Sequence, residues 1–159
     1  MDIAGITERF CRKADWNDIT GLGAGSSYCL LSEVKTVADA VERIRIFQQA
    51  GLKIQMIGGG MNFIGSDAPL TDTVFMKLLP GGAFSILKKL DGRKIYAGAA
   101  CSPGEIVRFA LKYGLGGAAG LSGIPGTLGG ALAMNAGAQG VCFADLVLEV
   151  KMTHYIMNI

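Results

Sequence analysis

The chain has 159 residues, of which half are apolar, and its formal net charge is only +2. These values exclude a disordered tail, and the scattered basic residues form no stripe of the kind that binds nucleic acid. Six charged residues among the first 17 interrupt any signal-peptide core, and no apolar run approaches the ~20 residues of a membrane span, so the sequence predicts a cytoplasmic protein without membrane insertion.

The first half of the chain alternates predicted strands and helices. A strand is predicted over Ser27–Leu31, and Thr36 to Asp39 has the form of a capping box that begins a helix. This helix ends before Gly51. Its predicted apolar face consists of Val37, Val41, Ile44 and Phe47.

Two further strands are predicted over Lys53–Ile57 and Thr73–Leu78. Pro80-Gly-Gly82 is the clearest break in the chain, because glycine and proline interrupt regular structure. We therefore expect a first lobe over residues 1–80 and a second lobe over 81–159. The lone Trp16 is expected to pack in the first lobe.

The second half mixes a hairpin with helices. The segments Phe84–Leu87 and Lys94–Ala97 flank Asp91-Gly92, which favours a tight antiparallel turn. Ser102-Pro-Gly-Glu105 combines an N-cap serine, proline and glutamate, so it predicts a helix to about Tyr113. The predicted buried face is Ile106, Phe109, Ala110 and Tyr113. Together the two halves suggest the α+β class.

Glycine supplies 24 of the 159 residues, about double the ~7% of average composition. Gly58-Gly-Gly-Met-Asn62 follows a predicted strand directly, where successive N–H groups can form a nest for a pyrophosphate; an ordinary glycine turn is the alternative. The Rossmann pattern is absent because Phe63 stands where GxGxxG needs its third glycine, and no phosphate-binding loop of the GxxxxGK[ST] type occurs.

A longer run, Gly120 to Gly140, reads GLSGIPGTLGGALAMNAGAQG. It closely resembles the GLSGIPGTxGGAxxMNAGAxG signature of UDP-N-acetylenolpyruvoylglucosamine reductases, and Gly58–Asn62 resembles their pyrophosphate-binding GGGSN with Met61 in place of serine. Pro125 stiffens the loop, and Thr127 is expected to cap a helix over Leu128–Asn135, with its positive end toward the cofactor. The alternative is a helix that packs through small residues.

The resemblance implies a two-lobed, non-covalent FAD-binding domain of the type found in vanillyl-alcohol-oxidase-like flavoproteins. It implies NADPH as hydride donor and a UDP-sugar substrate, and the oligomeric state stays unassigned. Thr20–Ser27 follows the family's NTxxIGGxA entry only loosely. Valine at Gly59 or Gly126 is expected to weaken FAD binding more than it disturbs secondary structure. The residues expected to bind FAD are Gly58, Gly59, Gly60, Met61, Asn62, Ser122, Gly123, Ile124, Pro125, Gly126, Thr127, Gly129, Gly130, Asn135, Gly137, Ala138 and Gly140.

The resemblance assigns proton donation to a serine in a Gly-Ser-Phe-Phe motif, and polarisation of the substrate to a glutamate and to an arginine after a tyrosine. The 159 residues contain neither Gly-Ser-Phe nor Tyr-Arg. We therefore expect a carboxyl-truncated reductase whose substrate-binding domain is absent and which is inactive alone. Another FAD-dependent oxidoreductase of the superfamily and a non-catalytic flavin-binding remnant stay open.

The remaining chemistry-bearing residues indicate no site. The four cysteines are Cys11, Cys29, Cys101 and Cys142, and their wide spacing favours reduced thiols over a zinc site or a disulfide framework. Cys101, beside an N-cap, is expected to be an inert buried thiol. His154 is the only histidine and is expected at the surface or in packing.

Overall fold

The computed structural model describes residues 2–152, so the prediction for His154 lies outside the described residues. A four-stranded sheet organises the first half. Its strands are β1 Arg12–Asp15, β2 Tyr28–Val34, β3 Lys53–Ile57 and β4 Leu70–Leu78. They lie in the order β1-β2-β4-β3; β2 and β3 each run parallel to β4, whereas β1 is antiparallel to β2.

The predicted strands agree with this sheet. The prediction for Lys53–Ile57 is confirmed at both ends. The predicted strand Ser27–Leu31 begins at Tyr28 and continues to Val34, and the predicted strand Thr73–Leu78 begins earlier, at Leu70. The extra residues of β2 pair in register with Met76–Leu78, and the extra residues of β4 lie at a register shift opposite Cys29/Leu30. Both extensions depend on pairing between strands that are distant in sequence.

Three helices complete the first half: α1 Ile3–Phe10, α2 Trp16–Ile19 and α3 Val37–Gln49. The sheet is buried on both faces because side chains alternate along β4, with Val74 and Met76 on one side and Phe75 on the other. The first side packs α1 and α3. The second side packs α2, and its core is Ala14, Trp16, Ile19, Cys29, Leu31, Ile57 and Phe75.

The start of α3 confirms the predicted cap only in part. The hydroxyl of Thr36 accepts from the N–H of Asp39 at 3.0 Å, as an N-cap residue should. The reciprocal half of the capping box is wrong, because the Asp39 carboxylate instead accepts from the guanidinium of Arg43 at 2.7 Å. The helix ends at Gln49, and Gly51 follows with a φ of +72°, a conformation that favours glycine.

The buried face of α3 is rotated from the predicted one. Phe47 is fully buried and Ile44 packs against the same core, as predicted, but Val37 is exposed. Ala40 is buried in its place. Val41, also predicted, is only half-buried, so the face that meets the core follows positions 40, 44 and 47.

Trp16 packs in the first half as predicted. It is only 1% exposed, and its ring meets Phe75 edge-on at a centroid distance of 5.0 Å. The short elements α1, β1 and α2 around it were not predicted. α2 has four residues, too few to show a helical period in the sequence.

The second half consists of a hairpin, two helices and a second small hairpin around one core. The elements are β5 Leu87–Lys89, β6 Ile95–Ala97, α4 Pro103–Lys112, α5 Leu128–Ala133, β7 Gly137–Ala138 and β8 Val141–Cys142. The predicted first hairpin is confirmed, but its first arm begins later than predicted. Phe84 lies instead in a 3-10 turn over Gly82–Ser85.

Helix α4 confirms the predicted capping box completely. The Ser102 hydroxyl accepts from the Glu105 N–H at 3.2 Å, and the Glu105 carboxylate accepts from the Ser102 N–H at 2.7 Å. Ile106 and Ala110 are buried as predicted, whereas Phe109 is only half-buried. Tyr113 is exposed as the C-cap residue, and Val107 is buried instead.

The mixed content confirms the α+β class. Two apolar cores lie within residues 6–76 and a third within residues 101–143. The division into lobes at residues 80 and 81 stays a prediction. Among residues 2–152 no helix is long and apolar enough to cross a membrane.

Candidate cofactor site

The glycine loop Gly58–Asn62 leaves the carboxyl end of β3 and meets the second glycine motif directly. A β-carbon built on Gly59 would lie 2.6 Å from the α-carbon of Gly126. A β-carbon on Gly58 would overlap the hydroxyl of Thr127. The two motifs identified separately in the sequence are therefore adjacent in space, and only bare backbone fits between them.

The middle of this loop is held by a third stretch of chain. Gly60 is buried with a φ of +70°, and a β-carbon there would overlap the carbonyl oxygen of Ile19. The Gly60 carbonyl accepts from the N–H of Gly21 at 3.0 Å. Both the tight approach and the left-handed backbone require glycine at position 60.

Thr20–Ser27 runs beside the chain that follows the glycine loop. The N–H of Gly65 donates to the Ala24 carbonyl at 2.9 Å, and that of Ser27 donates to the Ser66 carbonyl at 3.3 Å. These hydrogen bonds hold Thr20–Ser27 against the residues that follow the glycine loop, although the similarity of this stretch to the family pattern is weak. Gly21 is a functional candidate that the sequence reasoning missed, although its glycine-rich surroundings were a signal.

Several backbone N–H groups at the junction have no acceptor among the described residues. Among residues 2–152, no acceptor receives the N–H groups of Gly59, Gly60, Met61 or Gly126. Gly126 has a φ of +92°. Successive free N–H groups beside left-handed glycines form the kind of concavity that binds anionic oxygens. The residues present therefore fit the pyrophosphate of a dinucleotide.

The loop before Thr127 leaves room beside the backbone. Gly123 has a φ of +87°, and a β-carbon there would meet no atom within 4 Å. Ser122 and Pro125 are exposed, whereas Ile124 packs against the core of the second half. Ile124 thus anchors a loop in which Ser122, Gly123 and Pro125 are exposed.

Thr127 caps α5 as predicted, since its hydroxyl accepts from the N–H of Gly130 at 3.4 Å. The helix is shorter than predicted and ends at Ala133 rather than Asn135. Asn135 has a φ of +44°, which ends the helix. A six-residue helix has a small dipole, so the backbone loops dominate the electrostatics of the junction.

The last predicted residues belong to the small hairpin of β7 and β8. Gly137 and Ala138 pair with Cys142 and Val141, and Gly140 lies in the turn with a φ of +79°. The side-chain oxygen of Asn135, at the base of this hairpin, accepts from the N–H of Ala144 at 2.9 Å. Asn135 therefore has a structural role in this arrangement.

Two methionines border the junction. Met61 is 44% exposed, and its side chain lies against the α-carbons of Gly21 and Gly126. The side-chain amide of Asn62 donates to the sulfur of Met134 at 3.4 Å. Met134 was not singled out from the sequence, because a thioether in a helical segment carries no signal of its own.

Cys101 lies behind the junction, and its backbone holds the start of α5. The Cys101 carbonyl accepts from the Leu128 N–H at 2.7 Å. The thiol is 2% exposed, and burial raises its pKa. The burial predicted for Cys101 is confirmed; its inertness stays a prediction, which a raised pKa favours because a thiol of high pKa is a poor nucleophile.

The comparisons with known proteins agree on one family. Residues 29–154 match the FAD binding domain family. UDP-N-acetylenolpyruvoylglucosamine reductase from Heliobacterium modesticaldum is 37% identical over 115 residues, 72% of this chain and 35% of that protein. The Pelobacter propionicus reductase is 31% identical over 156 residues, 97% of this chain and 52% of that protein.

A solved structure shows the same relationship in three dimensions. The crystal structure of UDP-N-acetylenolpyruvylglucosamine reductase from Thermus caldophilus superposes with a TM-score of 0.64 at 27% identity. The match covers 85% of this chain and 46% of that one. The chain thus spans about half or less of the length of these relatives.

Proposed function

The chain belongs to the FAD-binding domain family, and from that premise we propose that its two glycine motifs hold FAD without a covalent bond. The observation that carries the proposal is the approach of Gly59 to Gly126, with unpaired backbone N–H groups on both loops. The two motifs would bind the pyrophosphate and the flavin from opposite sides. Residues 135–140 would contribute through their backbone, since the Asn135 side chain is already engaged.

We propose further that the protein of which this sequence is the FAD-binding part reduces UDP-N-acetylenolpyruvoylglucosamine to UDP-N-acetylmuramate for peptidoglycan synthesis, with NADPH as hydride donor. The support is the shared identity with reductases of that name, together with both glycine motifs. The proposed location is the cytoplasm, where free thiols such as the four of this chain persist.

When bound, FAD supplies the hydride chemistry of the reaction. The chain's own residues bind and orient it. The N–H groups of Gly59, Gly60 and Gly126 would offset the charge of the pyrophosphate, and the absence of β-carbons lets the backbone reach it. Ile124, anchored in the core, would fix the loop beside the flavin.

Calorimetric titration of the folded 159-residue chain with FAD tests the cofactor proposal. We expect saturable binding of one FAD per chain and release of all flavin upon denaturation, since no covalent bond is proposed. Riboflavin lacks the pyrophosphate and serves as the matched control, so it should bind more weakly. A folded chain that takes up no FAD would overturn the proposal.

NADPH oxidation, followed with and without the UDP-sugar substrate, tests the reaction. For the 159 residues alone we predict no substrate-dependent oxidation. The serine and arginine motifs that the resemblance assigns to proton donation and substrate polarisation are not found in this sequence. Formation of UDP-N-acetylmuramate by the chain alone would show that other residues within it perform these tasks.

A further inference from the structure

Met61 lies over the junction of the two glycine loops, and its side chain is 44% exposed. We propose that Met61 is a redox-sensitive modification site, at which a peroxide converts the thioether to a sulfoxide and thereby weakens FAD binding. The inference rests on the proposed FAD site. It also predicts a change in the hydrogen bond between Gly21 and Gly60 that does not depend on FAD.

The thioether fills the space over two bare glycines. A β-carbon built on Gly21 would lie 2.9 Å from both the Sδ and the Cε atoms of Met61, and one built on Gly126 would lie 3.2 Å from its Cγ. Met61 therefore lies beside both the stretch Thr20–Ser27 and the loop of the second motif.

The same side chain is accessible to oxidants. Met61 is 44% exposed, whereas Met76 in the sheet core is fully buried. A peroxide transfers one oxygen atom to Sδ: the O–O bond breaks, an S–O bond forms, the sulfur loses two electrons, and the other peroxide oxygen leaves as water. The sulfoxide is polar and chiral, and methionine sulfoxide reductases convert it back to the thioether.

The apolar thioether lies where a β-carbon of Gly21 would be, and the Gly21 N–H donates to the Gly60 carbonyl at 3.0 Å. A sulfoxide is polar and favours hydration over this apolar contact. We therefore expect oxidation to draw the Met61 side chain away from Gly21 and Gly126 toward solvent. This change loosens the loop whose free N–H groups face the proposed pyrophosphate position.

The experiment compares FAD affinity before and after treatment of the full chain with hydrogen peroxide, with peptide mass spectrometry to locate each sulfoxide. We expect the Kd of the wild-type chain to rise at least about fivefold, because loops that Met61 no longer covers must be ordered again when FAD binds. Each variant is compared with its own untreated form. Met61→Leu and Met61→Ser should show no change upon treatment.

Met134→Leu is the matched control. Met134 is also exposed and borders the junction, but its sulfur contacts Asn62 rather than the two glycines. This variant should lose affinity upon treatment as the wild type does, and sulfoxide reductase with a thiol should restore both. Equal losses in Met61→Leu and wild type would overturn the proposal.

Hydrogen exchange separates this proposal from the proposed function. If the untreated chain binds no FAD, the proposed function fails, but the Gly21 amide still reports on Met61. We expect its exchange to accelerate upon oxidation of the wild type and not of Met61→Leu. Unchanged exchange in a chain with fully oxidised Met61 would contradict the coupling of the loops, whatever the result with FAD.

Discussion

Gly59 and Gly126 face each other so closely that a β-carbon on Gly59 would lie 2.6 Å from the α-carbon of Gly126. Backbone on both sides cannot rotate away as a side chain can. We therefore predict that Gly59→Ala lowers the free energy of unfolding by about 1–3 kcal/mol and also weakens FAD binding. Urea denaturation and FAD titration measure the two effects.

Gly116→Ala is the control for this substitution. A β-carbon there would meet only the Arg93 guanidinium, at 4.0 Å, so its stability should stay within about 0.5 kcal/mol of the wild type. If Gly59→Ala proves as stable as Gly116→Ala, the two loops are not in contact in solution. The structure thus adds a folding cost to the loss of FAD affinity expected at position 59 from the sequence.

Gly123 allows a cleaner test of cofactor contact, since a β-carbon there meets no protein atom within 4 Å. Gly51 shares this property and a similar left-handed φ, +72° against +87°, but it precedes β3 and so lies at the opposite end of that strand from Gly58. We predict that both alanine variants lose about 1–2 kcal/mol of stability through backbone strain.

Only Gly123→Ala should also weaken FAD binding, because its methyl group points into the space proposed for the cofactor. Titration of both folded variants with FAD measures the difference. Equal affinities would remove Gly123 from the candidate site and leave the glycine as a requirement of the turn.

Gly104 lies in the first turn of α4, where we expect alanine to stabilise the fold rather than strain it. Its φ is not positive, and a β-carbon would meet only the Arg108 guanidinium at 3.5 Å, an ordinary contact. Alanine loses less backbone entropy than glycine on folding, so we predict that Gly104→Ala raises the free energy of unfolding by up to about 1 kcal/mol. Thermal denaturation checks the direction; a lower midpoint would contradict it.

The cap of the same helix predicts a pH dependence. The N–H and hydroxyl groups of Ser102 donate to the Glu105 carboxylate and hold its pKa below the usual value of 4.5. A lowered pKa in the folded state means that this stabilisation is complete above the unfolded-state pKa. It is lost as the pH falls through the lower, folded-state value.

We therefore predict that Ser102→Ala costs about 0.5–2 kcal/mol near neutral pH, and that the difference from the wild type shrinks as the pH falls below the unfolded-state pKa of Glu105. Urea denaturation at neutral and acidic pH measures both values. A difference that stays constant from pH 7 to pH 3 would mean that the loss comes from the backbone cap alone, without the contribution of Glu105.

Local signals were enough to predict the elements of α4 and β3. The cap of α4 needs only Ser102, Pro103 and Glu105, all within one turn, and β3 is a short apolar run closed by glycine. The start of α3 was equally visible at Thr36. The second hydrogen bond of the predicted capping box, from the Thr36 N–H to the Asp39 carboxylate, does not form, because Arg43 on the next turn binds that carboxylate.

Contacts between distant segments could not be predicted in this way. The sequence identified both glycine motifs, but their meeting at Gly59 and Gly126 depends on how the two halves of the chain pack. The hydrogen bond from the Gly21 N–H to the Gly60 carbonyl could not be predicted, because a backbone hydrogen bond does not depend on which side chains are present. Short elements such as α2 were not predicted for a different reason: four residues are too few to show the 3.6-residue repeat of a helix.

Because Trp16 is buried, its fluorescence can report on the structure around it. It is the only tryptophan in the sequence, and it packs beneath Gly25 and Gly65, in the two stretches that run together behind the glycine loop. Within the described part of the chain its indole N–H has no hydrogen-bond partner. The intrinsic emission should therefore be blue-shifted, and it should move to longer wavelength when these stretches separate and water reaches the ring. A single emission band thus reports opening of this region, and energy transfer from the indole to a bound flavin would report occupancy at the same time.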